Sequence, residues 1–166
     1  TTLNSHTTMF TGMDPHEHGV VRNGYPFMEA GPTLASSLAG LGYDTIAVLG
    51  AAALERAMGL GRGFRVYDDR MPELRSIMFQ DQAEGVVRRA FEQVDEREAG
   101  KPLFLFVHFY DAHAPYAPPP RFRERFVDPH YDGTLTKRGP AYRQHVKAMR
   151  TDQADPADTE HVGALY

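Results

Sequence analysis

Apolar residues in the first part of the chain change from a helical spacing to an unbroken run. Leucines recur at helical spacing after Pro32, a residue that suits the first position of a helix, and Gly42 is a natural stop. Residues 45–49 then form a short apolar run, which predicts a strand buried on both faces. A helix, a tight turn and a buried strand in succession indicate an α/β unit.

The second part of the chain repeats this order with longer elements. A helix is predicted over roughly Gln80 to Ala99. Its apolar stripe comprises Ala83, Val87, Ala90, Phe91 and Val94. Residues 103–109 carry the strongest strand signal and predict a strand that is central in a sheet. Polar residues, among them Asp111 and His113, follow at once. Because open α/β sheets bind ligands beyond the carboxyl ends of their strands, this cluster is a candidate site.

The remaining segments predict shorter elements. Residues 5–11 suit one short helix that ends at a glycine, and residues 14–19 suit a tight loop. The alanine-rich residues 51–59 predict another short helix. Residues 128–160 are largely polar with little periodicity, which predicts a surface loop or an insertion, and residues 161–166 resemble the start of another element.

Composition narrows the class of protein. The chain has 166 residues, of which 42% are hydrophobic and 24% charged, as in one globular domain. The net charge of −4 provides no basic footprint for nucleic acid, so no nucleic-acid partner is expected. No apolar run is long enough for a membrane segment. The absence of cysteine excludes disulfides, thiolate metal sites and a cysteine nucleophile within these residues.

Three polar clusters are candidates for chemistry. Residues 1–6 carry hydroxyls before a helix, where they are commonly plain N-caps. The same position can also hold an anion or a nucleophile, because free N–H groups and the helix dipole favour negative charge there. His16 and His18 have a spacing that suits either a metal or ordinary surface polarity. Asp111 and His113, beyond the second strand, form the third cluster.

The other histidines are predicted to be structural or solvated. His108 lies inside the second strand and is predicted to be a core or near-core histidine whose ring nitrogens are satisfied. His130, His145 and His161 lie in polar stretches and are predicted to be solvated at the surface.

The order of these motifs is more specific than any one of them. It runs Thr-x-x-Ser-His, then Thr-Gly, then Pro-x-x-His-Gly-Val-x-x-Asn, a helix ending in Gly-Tyr, an apolar strand, and a later strand entering Asp-x-His-x-Pro-Tyr. This combination resembles the sulfatase family of the alkaline phosphatase superfamily. The similarity covers most of residues 1–127, in the segments TTLNSHTTMFTGMDPHEHGVVRN, TLASSLAGLGYDTIAVLG, GLGRGFRVYDD and PLFLFVHFYDAHAPYAPP.

The resemblance implies a fold and an organisation. The fold is a three-layer α/β/α sandwich with a mainly parallel sheet, alkaline phosphatase-like and incomplete at both ends. Residues 1–166 are then a partial catalytic domain, with a recognisable core over 1–127, a polar loop or insertion over 128–160, and a truncated element at 161–166. The chain is expected to be an internal fragment, inactive alone, and its compartment stays open between cytoplasmic and periplasmic or secreted.

Departures from the family pattern change the expected chemistry. Sulfatases carry a formylglycine, made from cysteine or serine, where this chain has Thr2, and threonine cannot be converted by that route. Asn4 replaces the family proline, His6 replaces the arginine, and the Gly-Lys-x-His pattern is missing after Gly50. Threonine at the nucleophile position is instead similar to nucleotide pyrophosphatase/phosphodiesterases of the same superfamily.

The resemblance therefore implies a metal-dependent hydrolase of phosphate or phosphonate esters, or of sulfate esters, with phosphoesters favoured. A covalent intermediate is expected on Thr2, with His113 assisting the leaving group. His6 and Asn23 are expected to bind the substrate. Thr2 is also the expected metal ligand, with the other ligands outside this chain, and the ion would be Zn, Mn, Ca or Mg.

Two alternatives remain open. The protein could transfer a phosphoryl headgroup to another acceptor, since some transferases of the superfamily also use threonine. It could also be a non-catalytic member that keeps the fold for binding, since three family features are missing. In the leading interpretation the partner is a small-molecule substrate, or a lipid or sugar ester.

Overall fold

The chain forms two compact units, Thr1–Tyr110 and Asp111–Tyr166. The computed structural model describes residues 1–71, 82–113, 116, 118–133, 135, 140–149, 151 and 153–166. The boundary between the units lies inside the region 1–127 that resembles sulfatases. The assignment of residues 1–166 to one partial domain stays a prediction.

A three-stranded parallel sheet organises the first unit, with the strand order β2-β1-β3. Its strands are β1 (Asp44–Leu49), β2 (Val66–Asp68) and β3 (Leu103–His108). The prediction of an α/β fold is confirmed. The prediction of β3 as the central strand is wrong for the sheet that the described residues form, in which β1 is central. Every residue of β1 is buried, whereas Leu105 of β3 is 37% exposed.

Helices cover both faces of β1 and make three layers. Because successive side chains of a strand point to opposite faces, Ile46 and Val48 lie on one side. They pack against Val86 of helix α4 (Ala83–Asp95). The other face joins a larger cluster that includes Ala47, Leu49, Leu3, Phe10 and Ala35. Leu3 and Phe10 belong to α1 (Thr2–Thr11), and Ala35 belongs to α3 (Leu34–Gly40). The predicted α/β/α layering is confirmed within this unit.

Two helix starts differ from the prediction. Helix α1 ends as predicted, at Gly12 in the left-handed conformation with φ 70°, but it begins at Thr2 and not at residue 5. Helix α3 begins after Thr33, whose hydroxyl accepts the Ser36 N–H at 3.1 Å. Pro32 therefore lies before the cap and not at the first helical position.

Two short segments were predicted wrongly. Residues 14–19 contain a one-turn helix, α2 (Pro15–His18), because Asp14 and Glu17 form a capping box at its start. Residues 51–59 form two 3-10 turns, Ala52–Leu54 and Arg56–Met58, and not one helix. The Arg56 N–H donates to Asp69 Oδ2 at 2.7 Å, so it is withdrawn from helical hydrogen bonding.

Helix α4 buries a different face from the predicted one. Val87 and Phe91, two members of the predicted stripe, are 39% and 65% exposed. Arg89 is buried instead, donating to Asp68 Oδ1 and to the Leu49 carbonyl, both at 2.7 Å. This ion pair joins the helix to the carboxyl ends of β1 and β2. The predicted start at Gln80 lies outside the described residues.

The second unit contains helices within residues 128–160, so a surface loop is the wrong prediction there, and the alternative of an insertion stays a prediction. It contains α5 (Pro120–Phe126), α6 (Pro140–Met149) and α7 (Pro156–Leu165). The two later helices begin within residues 128–160, so residue 161 lies inside α7 and does not start an element. The local signal was Asp155 followed by proline, since the Asp155 side chain accepts the Ala157 N–H at 2.8 Å.

Two histidines predicted to be solvated are buried in this unit. His145 is 5% exposed and His161 is 7% exposed, whereas His130 is exposed as predicted. The His161 ring stacks on Tyr131 with a centroid distance of 3.7 Å, and this packing buries it. Among the described residues, no helix is both long and apolar enough to cross a membrane.

Candidate functional site at the start of helix α1

A loop caps the start of α1 where the predicted nucleophile lies. Thr2 is the first helical residue, and Thr1, at the N-cap position, makes no side-chain cap bond. The Leu3 N–H instead donates to Asn23 Oδ1 at 2.8 Å, from a residue 20 positions further along the chain. The plain N-cap interpretation of the first hydroxyls is therefore replaced by a cap from Asn23.

The segment that carries this cap is itself docked on α1. Asn4 Nδ2 donates to the Val20 carbonyl at 2.6 Å, and Val20 is fully buried. The Val20 N–H donates to His18 Nδ1 at 3.1 Å, which places the His18 proton on Nε2. That Nε2 lies 3.1 Å from the Thr8 hydroxyl. Helix α1 and residues 18–23 are thus joined by hydrogen bonds at both ends of the segment.

His6 lies one helical turn after Thr2 and is held at two sides. Its Nδ1 donates to the Thr2 carbonyl at 2.7 Å, so the proton of the ring is on Nδ1. The ring also packs edge-to-face on two rings of β3. The centroid of Phe106 lies 5.8 Å away and that of His108 lies 5.1 Å away.

His108 is the last residue of β3 and is partly buried, which confirms the near-core position. The prediction that its ring is satisfied is wrong, because one buried nitrogen is unpaired in the part of the chain that the structure describes. Burial, and to a smaller extent the neighbouring His6, lower its pKa to about 4. Its Nδ1 atom is buried and has no hydrogen-bond partner among the described residues. The His108 ring is therefore neutral at pH 7 and is held by packing.

Three of the four predicted site residues meet at the first turn of α1. Thr2 is partly exposed, and no described residue hydrogen-bonds its hydroxyl. His6 and Asn23 are both tied to the backbone of that turn. His113 belongs to the second unit, where it lies exposed in the turn after Tyr110. Its participation in a site with Thr2 stays a prediction.

The described residues do not assemble a complete set of metal ligands at Thr2. Their only group of three potential side-chain ligands comprises Asp14, His16 and Glu17, all exposed, with ligand atoms within 4.8 Å of one another. Glu17 Oε2 already accepts the Asp14 N–H at 2.8 Å as part of the α2 capping box. Both ring nitrogens of His18 are engaged within the protein, so His18 does not complete a metal pair with His16.

Sequence reasoning missed two residues that shape this site. The sequence alone marks Asn4 only as a departure from the family proline, although its side chain donates a hydrogen bond to the Val20 carbonyl. A side-chain amide in the first turn of a helix, free to bond a neighbouring backbone, was the available signal. His108 was read only as a near-core residue. Its position at the carboxyl end of a strand was the signal that it borders a site.

Comparison with known proteins gives one family and a set of structural neighbours. The Sulfatase family model matches residues 1–154. No curated protein is significantly similar to this chain in sequence.

Solved structures share the fold at low identity. BT4656, solved in complex with its substrate D-glucosamine-2-N,6-O-disulfate, superposes with a TM-score of 0.56 at 20% identity, covering 85% of this chain and 32% of that one. BT1596, described as a 2-O GAG sulfatase, gives 0.48 at 21%, covering 83% and 29%. A protein of the alkaline phosphatase superfamily from Vibrio parahaemolyticus gives 0.41 at 22%, covering 63% and 26%.

The chain spans about a third, 32%, of the length of BT4656. The superposition on BT4656 supports the fold alone, because identity is 20%. The family match covers most of the chain and includes the first turn of α1, the capping residue Asn23 and strand β3. The chain therefore belongs to the sulfatase family.

Proposed function

We propose that the protein containing this chain is an ester hydrolase in which Thr2 is the nucleophile. The observation that supports this role is the first turn of α1, where the Thr2 hydroxyl has no hydrogen bond from any described residue. The Asn23 and His6 side chains are fixed to the same turn at 2.8 and 2.7 Å. A hydroxyl at a helix N-terminus, on a turn whose backbone holds two polar side chains, suits attack on an anionic ester.

The reaction would proceed in two displacements. Thr2 Oγ1 gives up its proton to water and bonds to the phosphorus of the ester as the bond to the leaving oxygen breaks, which leaves a phosphothreonine. Water then cleaves that intermediate and releases the free acid. His113 would give the leaving oxygen its proton, and this role remains a proposal for the second unit.

Asn23 supports the transferred group through the half of its amide that the cap does not use. Its Oδ1 atom accepts the Leu3 N–H, so the amide is oriented by the helix. The Nδ2 group has two donors, and a fixed donor stabilises negative charge that develops on a nonbridging oxygen. The N-terminus of the ten-residue helix α1 favours the same charge.

Phosphate or phosphonate esters are the proposed substrates because threonine cannot become formylglycine. Hydrolysis of sulfate esters is the second candidate, favoured by the family match over residues 1–154. BT4656 binds a sulfated glucosamine, and by analogy a sugar ester is one candidate substrate of this protein. Transfer of a phosphoryl headgroup would differ only in the acceptor.

We also propose that the whole protein needs a divalent ion, with Thr2 as one ligand and other parts of the protein providing the rest. A threonine hydroxyl is a weak nucleophile at neutral pH, and a bound metal lowers the pKa of such a group. After dialysis of the full-length protein against a chelator, we expect turnover to be lost and to return with added Zn, Mn, Ca or Mg. Turnover that continues without metal would contradict this dependence.

Replacement of Thr2 tests the nucleophile. In the full-length protein, Thr2→Ala should lower turnover of 4-nitrophenyl phosphate and 4-nitrophenyl sulfate by about 10³-fold or more, because no other hydroxyl takes its place. Thr2→Ser should retain measurable turnover. The control is Ser5→Ala, which removes a hydroxyl bonded to the Thr1 and Thr2 carbonyls on the same turn and should leave turnover unchanged. Normal turnover in Thr2→Ala would reject the assignment.

Replacement of Asn23 separates its cap from its role toward the anion. Asn23→Ala should lower the free energy of unfolding by about 1 kcal/mol, because the Leu3 N–H loses its acceptor. Asn23→Asp keeps an acceptor and should stay within about 0.5 kcal/mol of the natural protein. Both variants should lose about 10²-fold in kcat, because the amide donor is gone.

The control for Asn23 is its exposed neighbour Arg22, whose guanidinium donates to the Tyr25 hydroxyl at 2.8 Å. Arg22→Ala should change neither kcat nor the free energy of unfolding of the protein. Wild-type kcat in Asn23→Asp, measured with the same two esters, would show that the amide does not serve the transferred group.

A further inference from the structure

We propose that His108 is a positioning residue for the Thr2 site and that its ring holds the His6 ring against β3. This inference rests on the proposed function, since the site that it serves is the one around Thr2.

The geometry places His108 behind His6. Its ring meets the His6 ring edge-to-face, with centroids 5.1 Å apart and an angle of 74° between the planes. Phe106, two residues earlier on the same face of β3, meets His6 in the same way at 73°. Two rings of the strand thus contact one ring of the helix, and such contacts restrict its orientation.

The other side of His6 is tied to the nucleophile. The His6 Nδ1–H donates to the carbonyl of Thr2 at 2.7 Å. Any rotation of the His6 ring therefore breaks either this hydrogen bond or the contact with the strand. Because small displacements in an active site can cost a large factor in rate, a residue that prevents this rotation affects turnover without touching substrate.

His108 contacts His6 through edge-to-face ring packing and not through a hydrogen bond. His108 Nδ1 is buried without a partner among the described residues. Leaving a buried polar atom unpaired costs stability, so a phenyl ring at this position should pack at least as well. Ring packing and nitrogen chemistry can therefore be separated by two substitutions.

The test compares three variants of the full-length protein. His108→Ala should lower kcat for 4-nitrophenyl phosphate or sulfate by about 10- to 100-fold with KM changed less than about threefold, because His6 loses its support. His108→Phe should keep kcat within about threefold and should unfold at a higher denaturant concentration, because the unpaired nitrogen is gone. The matched control is Val107→Ala, on the opposite face of the same strand, which packs on the α4 side. It should lower stability and leave kcat unchanged.

A second measurement does not depend on activity. In the folded protein, the NMR signal of the His6 Nδ1–H should be protected from exchange, persist in His108→Phe and Val107→Ala, and be lost in His108→Ala. If Thr2→Ala kept its turnover, the proposed function would fail, and this signal would still test the positioning of His6.

Three results would overturn the inference. A folded His108→Ala with normal kcat and a protected His6 proton would remove the positioning role. A loss of kcat in Val107→Ala equal to that in His108→Ala would show a general effect of stability. A His108→Phe variant as slow as His108→Ala would show that the nitrogen, and not the packing of the ring, is what the site uses.

Discussion

The hydrogen bond from the Leu3 N–H to Asn23 Oδ1 connects the candidate site to the fold. It joins the first turn of α1 to a segment 20 residues away, at 2.8 Å. Without it, the start of the helix would expose an unpaired donor, and Asn23 would lose its fixed orientation. The bonds of Asn4 and His18 to the Val20 backbone hold the same segment in place. The start of the helix that carries Thr2 is thus held by hydrogen bonds from two parts of the chain.

The sheet provides the second constraint, because α1 packs on one face of β1. Leu3 and Phe10 belong to the same buried cluster as the β1 side chains on that face, so the helix cannot shift without disturbing the core. On the opposite side, Arg89 pairs with Asp68 and the Leu49 carbonyl at the carboxyl ends of two strands. Removal of Asp68 would leave the buried Arg89 without its carboxylate partner, which is strongly destabilising.

The features that could be predicted from the sequence are those set by residues close together along the chain. Strand β1, the end of α1 at Gly12 and the α/β layering followed from period, glycine stops and apolar runs. The start of α1 was not predicted because its capping side chain, Asn23, lies 20 residues further along the chain. A local sequence pattern does not indicate a cap from so distant a residue. The buried face of α4 was misjudged because a charged residue, Arg89, is buried against Asp68.

In the candidate site, the residue types could likewise be predicted from the sequence, but their contacts could not. Spacing and resemblance predicted Thr2, His6 and Asn23 as site residues, because a motif preserves residue type and order. They did not reveal that Asn23 caps the helix or that His6 bonds the Thr2 carbonyl, because these contacts depend on how α1 and residues 18–23 pack. The contact between His108 and His6 could not be predicted, since it forms only when β3 and α1 lie side by side. The burial of His145 and His161 could not be predicted either, because both histidines lie in polar stretches of the sequence.

A covalent intermediate on Thr2 can be detected by acid quenching of the full-length protein during turnover of an ester probe, followed by mass spectrometry of the peptide that contains Thr2. We expect a phosphoryl group, or a sulfuryl group with a sulfate ester, on the Thr2 hydroxyl during turnover and its absence without substrate. Turnover that proceeds with Thr2 unmodified and the transferred group on another side chain would contradict it.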